Sequence, residues 1–214
     1  MDQTIKKSEQ ISLTDLMRKR FKGVLDPIAG FLNKIGLMPN TVTILGLIGN
    51  AFGAVLLALG KMPAGGVIIL IMGPIDALDG TMARLRGGPT EFGAFVDSVT
   101  DRYSELLIYG GLLYYFLQQD DWLSCMAVFG AAAGSVLVSY IRARGQSLSM
   151  DTKVGILSRF ERYLVLVPSL IFNVPHIGMW IIAIFANITA LQRIYDIRRQ
   201  ARENNKILQN DHRG

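Results

Sequence analysis

Cysteine, histidine and charged side chains are scarce in this 214-residue sequence, which contains one cysteine, Cys125, and two histidines. A single cysteine excludes an internal disulfide and any metal cluster built from several thiolates, so we expect no redox chemistry. Charged residues make up 18% of the chain and hydrophobic residues 50%, a composition too apolar for an ordinary soluble domain of this size. The sequence therefore predicts a membrane protein.

The first thirty residues lack the unbroken apolar run of a cleavable signal peptide. Apolar residues recur there at helical spacing instead: Leu13, Leu16, Met17, Phe21, Val24, Leu25 and Ile28. This pattern indicates an amphipathic helix, which either lies on the membrane surface or packs against its own domain. A net charge of +5 in such an apolar chain fits anionic lipid better than nucleic acid, so we expect no nucleic-acid partner.

Six apolar segments follow, and crossing a hydrocarbon core about 30 Å thick takes roughly 20 such residues per helix. We predict an all-α integral membrane protein with six transmembrane helices plus the N-terminal amphipathic helix. The predicted spans are 41–60, 63–85, 92–117, 122–143, a fifth from the capping-box pattern Ser158 and Glu161 to before Pro175, and 177–194. The chain then divides into a juxtamembrane segment 1–38, a membrane domain 39–200 and a polar tail 201–214, which we expect to fray.

Small residues and prolines mark two special places in this map. Gly73 and Pro74 permit a kink in the second span, and the run of Gly and Ala at 130–134 favours close packing of the fourth span on another helix.

The basic residues are distributed unequally between the two sides of the membrane. Among the 22 Lys and Arg residues, only Lys61 lies in a connection on the side opposite the chain termini. Because cytoplasmic loops carry such an excess, we predict a multi-pass cell-membrane protein with both termini and the loops 85–92 and 143–158 in the cytoplasm.

Four aspartates recur at helical spacing in two neighbouring spans. Asp76 and Asp79 are three residues apart in the second span, and Asp97 and Asp101 follow Gly93 at intervals of four in the third. Each set shares one helix face, so the four carboxylates can converge. Because an unpaired carboxylate at membrane depth costs at least ~2.5 kcal/mol, four together require cations. Oxygen ligands without His or Cys suit Mg²⁺ or Mn²⁺, and the spacing leaves one ion or two open.

The same four aspartates fit two further roles. One is a buried ion-pair network with three nearby arginines, Arg84, Arg86 and Arg102. The second is the cation path of a divalent-cation transporter, although transporter sites usually lie near the bilayer centre and these acids lie toward one end of their helices. Small residues at 80, 83 and 93 leave room for a ligand between the acidic spans, but small residues in membrane helices also serve helix packing.

Residues 76–101 read Asp-x-x-Asp-Gly-x-x-Ala-Arg, eight residues, then Gly-x-x-x-Asp-x-x-x-Asp. This pattern resembles, position for position, the signature of the CDP-alcohol phosphotransferase (CDP-alcohol phosphatidyltransferase) family. The resemblance implies transfer of a phosphatidyl group from CDP-diacylglycerol, or an archaeal CDP-archaeol donor, to an alcohol with release of CMP. It also implies a cytosolic active site and a homodimer.

The same resemblance implies roles for individual residues. Asp76, Asp79 and Asp97 are expected to hold two divalent ions, and Asp101 to lie near the metals as a fourth ligand while it serves as the base toward the acceptor hydroxyl. The residues expected to line the CDP moiety are Pro39, Asn40, Thr41, Val42, Gly80, Ala83, Arg84 and Thr90.

Segments 139–144, 154–156, 161–162 and 192–194 resemble the branch of the family that uses inositol phosphate to make phosphatidylinositol phosphate, or its archaetidyl counterpart. That resemblance implies an acceptor-phosphate pocket of Arg142, Arg162 and Arg193, and a guanidinium group suits the bidentate grip of a phosphate. Gly145 and Gln146 depart from the Ala-Glu that the branch often has. Glycerol 3-phosphate, which would give phosphatidylglycerol phosphate, is therefore the alternative acceptor.

Overall fold

A computed structural model describes residues 13–211, with side chains described for residues 23–204. All regular structure in this part of the chain is helical: α1 Leu13–Lys34, α2 Pro39–Ala58, α3 Met62–Leu85, α4 Glu91–Gln118, α5 Trp122–Ser147, α6 Arg159–Ile171 and α7 Pro175–Asp211. The prediction of an all-α fold is confirmed for these residues. Helices α2 to α7 follow the six predicted spans in order.

Four helices in the described part of the chain are long and apolar enough to cross a membrane: Pro39–Ala58, Met62–Leu85, Trp122–Ser147 and Pro175–Asn204. Helix α4 has 28 residues, but acidic and basic side chains interrupt its apolar sequence. Helix α6 has 13 residues, or about 20 Å at 1.5 Å per residue, which is shorter than the ~30 Å hydrocarbon core. The chain is therefore a helical membrane protein with four candidate spans.

Helix α1 packs against the membrane domain through one apolar face. Ala29 is fully buried in a small cluster with residues of α2 and α3: Val42, Leu78 and Met82. A second apolar face of α1 is exposed at Val24, Ile28 and Phe31. The described part of the predicted amphipathic helix thus packs on its own domain and leaves an apolar face outward. Leu13, Leu16, Met17 and Phe21 lie outside the described side chains, and residues 1–12 outside the described chain.

Pro74 lies inside α3 and cannot donate a backbone hydrogen bond to the Leu70 carbonyl four residues earlier. The Tyr163 hydroxyl of α6 lies 2.8 Å from that carbonyl and donates to it. Gly73 makes room for this contact, because a Cβ at Gly73 would lie 2.5 Å from the Tyr163 hydroxyl oxygen. Helix α6 therefore docks where Pro74 interrupts the hydrogen bonding of α3, less than one turn before the acidic motif begins.

The small face predicted at 130–134 packs against α7, as expected. A Cβ at Gly134 would lie 2.7 Å from the Asn187 side-chain nitrogen and 3.0 Å from the Ala186 Cβ. The same Asn187 nitrogen donates to the Gly130 carbonyl at 2.9 Å. Close backbone approach and a hydrogen bond between helices together hold α5 on α7.

Two local predictions need correction. Ser158 is the N-cap residue of α6, as the capping-box pattern predicts, but its hydroxyl donates to the Glu161 carboxylate and no side-chain bond to the helix backbone forms. Helix α7 continues without a break to Asp211, so the described part of the tail after residue 200 is helical. Arg, Gln, Ala and Glu in that stretch are good helix formers, and this explains why a polar sequence extends the helix.

Candidate active site

Three of the four predicted metal ligands form a compact acidic cluster between α3 and α4. One carboxylate oxygen from each of Asp76, Asp97 and Asp101 lies within 4.8 Å of the others. Spacing along each helix sets this arrangement, since Asp97 and Asp101 are four residues apart on α4 and therefore lie on one face. All ligand groups in the cluster are carboxylates, which is the donor set preferred by hard divalent cations.

Asp79, the fourth predicted ligand, is held by α2. Its Oδ2 accepts a hydrogen bond from the Thr43 hydroxyl at 2.6 Å, and its Oδ1 accepts from the Gly80 backbone N–H. Asp79 follows Asp76 by three residues on α3, so the two side chains share one helix face. Its carboxylate is not among the three whose oxygens lie within 4.8 Å of one another. Thr43 is not predictable as a partner of Asp79 from the sequence, because a threonine in an apolar span has no local feature that links it to a distant carboxylate.

Asp101 has one oxygen bound to arginine and one without a partner. Oδ2 lies 2.6 Å from Nη1 of Arg159, whose Nη2 reaches Asp76 at 3.0 Å. Arg102 is farther away, at 3.7 Å from the same oxygen. Oδ1 of Asp101 is buried and has no hydrogen-bond partner among the described residues. An unpartnered buried carboxylate oxygen is costly, and its place in a cluster of carboxylates fits a site for a divalent cation.

Arg159 contacts the acidic cluster but was not among the predicted site residues. It opens α6 and bridges Asp76 and Asp101, which belong to different helices. The predicted ion-pair alternative named Arg84, Arg86 and Arg102, of which Arg102 approaches the cluster. Arg84 donates to the Thr81 hydroxyl at 2.7 Å. A basic residue at the start of a predicted span gave no signal that could separate Arg159 from ordinary anchoring to lipid headgroups.

The residues predicted to line the donor lie at neighbouring helix ends. Thr90 caps α4 by accepting a hydrogen bond from the Gly93 N–H at 3.0 Å. A Cβ at Gly93 would lie 3.4 Å from the Asn40 side-chain oxygen, so the first turn of α2 and the first turn of α4 are adjacent. Val42 differs from its predicted neighbours because it is buried in the cluster with α1 and α3, with 4% of its surface exposed.

Arg86 ties the end of α3 to the connection between α1 and α2. Its Nε donates to Asn33 Oδ1 at 2.8 Å, and its Nη2 donates to the Leu37 carbonyl at 2.7 Å. Asn33 in turn donates to the Met82 carbonyl at 3.2 Å. These bonds hold the residues that immediately precede the turn at Pro39. Half of the predicted donor residues, 39–42, lie in that turn.

The predicted acceptor arginines, here called the basic group, come together, but their side chains differ in accessibility. All three contact the segment that precedes α6: Arg142 at Asp151, Arg193 at the Val154 carbonyl and Arg162 at the Leu157 carbonyl. Arg142 has a side chain 44% exposed and lies 3.6 Å from Asp151. Arg162 is 1% exposed and forms two bonds to Glu105, at 2.7 and 3.0 Å. Arg193 donates to two backbone carbonyls, those of Val138 at 2.7 Å and Val154 at 3.1 Å.

An all-helical membrane domain with a carboxylate cluster of this kind defines a membrane protein with a candidate divalent-cation site. Residues 36–191 match the sequence profile of the family described as CDP-alcohol phosphatidyltransferase. The chain belongs to that family and is a CDP-alcohol phosphatidyltransferase by class of enzyme. The resemblance seen in residues 76–101 is thereby confirmed.

Several similar proteins within this family are named as synthases of inositol-containing phospholipids. The phosphatidylinositol phosphate synthase of Streptomyces avermitilis is 37% identical over 210 residues, which cover 89% of this chain and 84% of that protein. The archaetidylinositol phosphate synthase of Pyrococcus horikoshii is 32% identical over 86% of this chain and 96% of that protein. A crystal structure of the Mycobacterium tuberculosis phosphatidylinositol phosphate synthase with CDP-DAG bound matches with a TM-score of 0.77 and 32% identity, over 81% of this chain and 93% of that one. The same synthase has been crystallised with manganese and citrate.

Proposed function

We propose that this protein transfers a phosphatidyl group from CDP-diacylglycerol to a hydroxyl of inositol phosphate, producing phosphatidylinositol phosphate and CMP. The acidic cluster of Asp76, Asp97 and Asp101 carries this proposal, because it is linked to Arg162 of the basic group through the neighbouring pairs Asp101–Arg159 and Glu105–Arg162. Carboxylates suit a cation that binds pyrophosphate, and guanidinium groups suit a phosphorylated acceptor. The named relatives support the same substrates.

The metal site is proposed to consist of Asp76, Asp79, Asp97 and Asp101 and to bind two Mg²⁺ or Mn²⁺ ions. Such ions supply Lewis-acid stabilisation of the donor pyrophosphate and of the charge that develops on CMP. Thr43 orients Asp79 through a hydrogen bond of 2.6 Å. The synthase crystallised with manganese supports the choice of a divalent transition metal or magnesium.

Asp101 is proposed as the general base. Its Oδ1, which has no hydrogen-bond partner among the described residues, accepts the proton of the acceptor hydroxyl as that oxygen attacks the β-phosphorus and CMP leaves. Its Oδ2 is held by Arg159 at 2.6 Å, so the carboxylate keeps one orientation while the other oxygen acts. The CDP moiety is expected along the adjacent ends of α2, α3 and α4, at Pro39, Asn40, Thr41, Val42, Gly80, Ala83, Arg84 and Thr90.

The acceptor phosphate is assigned to the basic group, Arg142, Arg162 and Arg193. Arg142 is the exposed member and the one that can contact the phosphate without leaving a buried partner. Arg162 and Arg193 add positive charge from positions where their own hydrogen bonds are satisfied. Arg159, 43% exposed and next to the general base, is available to the same phosphate.

The membrane arrangement is also a proposal. Six spans require α4 and α6 to cross with the four candidate spans, and the polar side chains of α4 then face the protein interior, as membrane proteins require. The excess of Lys and Arg supports an active site and both termini in the cytoplasm of a cell-membrane protein. The family resemblance suggests a homodimer.

CMP release by the purified protein with Mg²⁺ tests this function. CDP-diacylglycerol is offered with inositol phosphate, glycerol 3-phosphate, free inositol or serine, and CDP-archaeol is offered with the first two acceptors. Release with inositol phosphate alone is expected. Release with glycerol 3-phosphate alone would make the product phosphatidylglycerol phosphate, and release only with CDP-archaeol would make the enzyme an archaeal-type synthase, like the Pyrococcus horikoshii relative by name.

A further inference from the structure

A second ion pair between α4 and α6 lies one helical turn from the Asp101–Arg159 pair of the candidate active site. Glu105 of α4 and Arg162 of α6 form a bidentate pair, with Nε–Oε1 and Nη2–Oε2 distances of 2.7 and 3.0 Å. Their side chains are 13% and 2% exposed. Glu105 follows Asp101 by four residues on α4, and Arg162 follows Arg159 by three on α6, so each helix contributes two stacked side chains on one face.

The two pairs are therefore arranged like the rungs of a ladder. The outer rung joins Asp101 to Arg159 at 2.6 Å and belongs to the reacting site. The inner rung joins Glu105 to Arg162, of which Arg162 is buried and Glu105 largely so. Because both rungs use the same two helices at matching spacing, the position of the inner rung determines where Arg159 stands relative to Asp101.

Further hydrogen bonds lock the inner rung to the surrounding helices. The Tyr109 hydroxyl of α4 lies 3.2 Å from Glu105 Oε1 and 3.1 Å from the Ser135 hydroxyl of α5. Arg162 Nη1 donates to the Leu157 carbonyl at 3.4 Å, and the Leu157 N–H donates to Thr189 of α7 at 3.0 Å. A fully satisfied buried network of this kind favours one arrangement of its elements.

Helix α6 is short and therefore relies on contacts such as the Glu105–Arg162 network to hold its position. It has 13 residues, and its start follows the irregular segment 148–158. The Tyr163 contact with the interrupted part of α3 fixes α6 against one neighbour, while the Glu105 pair fixes it against the helix that carries the general base. A buried ion pair is weak evidence for stability alone, and its position next to the site suggests a role in alignment.

We propose that Glu105 is a positioning residue for the acceptor half of the reaction: it holds Arg162 and thereby aligns α6 so that Arg159 faces Asp101 and Asp76. The inference rests on the proposed function. It predicts a selective defect, because the residues assigned to the donor lie on α2, α3 and the connection into α4, while α6 contributes none of them. Supporting residues around a polar site commonly change activity by about 10- to 100-fold.

Glu105→Gln tests the proposal because it keeps the shape and removes the charge that Arg162 requires. We expect kcat/KM for inositol phosphate to fall about 10- to 100-fold, with the KM for CDP-diacylglycerol within about twofold of the wild-type value. Glu105→Asp keeps the carboxylate and should recover part of the loss. Tyr109→Phe is the matched control, because it removes a hydroxyl from the same network but leaves the ion pair intact, and it should lose much less acceptor kcat/KM than Glu105→Gln does.

Hydrogen exchange in α6 provides a readout that does not depend on turnover. Amides of Arg159–Ile171 should exchange faster in Glu105→Gln than in Tyr109→Phe when the two variants are compared at equal distance below their own melting temperatures. Wild-type kinetics with unchanged exchange, or an equal loss for donor and acceptor, would overturn the positioning role. Should the wild-type protein release CMP with none of the acceptors, the proposed function fails, and the exchange comparison still decides whether Glu105 holds α6.

Discussion

The acidic cluster and the basic group lie at the same end of the helices but differ in how their side chains are used. In the acidic cluster, oxygens of Asp76, Asp97 and Asp101 converge within 4.8 Å, and one oxygen of Asp101 has no partner among the described residues. In the basic group, Arg162 and Arg193 have their hydrogen bonds directed to protein acceptors. The carboxylates are thus arranged for a ligand, while most of the guanidinium groups are arranged for the protein itself.

This difference shows that residue type alone does not identify a ligand contact. Three carboxylates converge in the acidic cluster, and Arg159 pairs with two of them. A buried carboxylate oxygen that still has no partner, such as Oδ1 of Asp101 among the described residues, is costly and favours a bound cation. Arginines that lie near one another but are individually paired need no bound counter-ion. We therefore expect the cation and the reacting groups at the acidic cluster. Arg142 and Arg159, with side chains 44% and 43% exposed, are the arginines proposed to reach an acceptor.

The largest effect is expected from Asp101→Asn, which keeps the size of the side chain and removes the basic oxygen. A general base contributes about 10²- to 10⁴-fold to a rate, so CMP release should fall by that factor. The measurement is initial-rate CMP release, with thermal unfolding as the check on the fold. Turnover at the wild-type rate in a folded variant would show that another group removes the proton.

Arg162→Ala and Arg142→Ala should separate the two kinds of arginine in the basic group. Removing Arg162 leaves the Glu105 charge buried and unpaired, which costs about 3–5 kcal/mol, so the melting temperature should fall sharply. Removing Arg142 should leave stability unchanged and raise the KM for inositol phosphate about 10-fold, within the range expected for a hydrogen bond to a charged group. Thermal unfolding and acceptor kinetics measure the two effects.

Arg162→Lys is the control for that comparison, because it retains the charge while losing the second bond to Glu105. Its stability should lie between those of the wild type and Arg162→Ala. The distinction between the two arginines would be wrong if Arg162→Ala remained as stable as the wild type and lost only acceptor affinity.

Thr43→Val tests whether the hydrogen bond from Thr43 to Asp79 contributes to metal binding. The hydroxyl that donates to Asp79 at 2.6 Å is replaced by a methyl group of similar size, so Asp79 loses its fixed orientation. We expect the Mg²⁺ concentration needed for half-maximal activity to rise about 10-fold, with the KM for inositol phosphate unchanged. Thr43→Ser keeps the hydroxyl and should respond to Mg²⁺ as the wild type does; an equal shift in both variants would point to packing instead.

Helical spacing was enough to predict the helices and the acidic cluster. The aspartates at 76, 79, 97 and 101 lie three or four residues apart within each helix, and only a bound cation or ion pairs make such a set stable in a membrane. The pairing of Arg162 with Glu105 was not predictable in this way, because the two residues are 57 positions apart and no local pattern connects them. Arg159 was missed for the same reason, because Asp76 and Asp101 are also distant from it in the sequence. Among the described helices, four of the six predicted spans are long and apolar enough to cross a membrane, whereas α4 is charged and α6 short.

The smallest effect is expected at the edge of the donor region, from Arg86→Gln. Arg86 fixes the connection before the Pro39 turn through Asn33 and the Leu37 carbonyl, and both bonds are exposed, so each contributes about 0.5–1.5 kcal/mol. The KM for CDP-diacylglycerol should rise about threefold, while the KM for the acceptor and the melting temperature stay close to the wild-type values. Steady-state kinetics with each substrate varied in turn would measure this.

A double-mutant cycle with Asn33→Ala makes the comparison specific. Because the Arg86 and Asn33 side chains are hydrogen-bonded to each other, the double variant should lose little more donor affinity than Arg86→Gln alone. Independent sites would instead give additive losses. An acceptor KM that rose as much as the donor KM would mean that Arg86 acts on the whole end of the helix bundle. A donor-specific and non-additive loss would instead separate the two substrate regions, with the donor held by α2 to α4 and the acceptor aligned by α6.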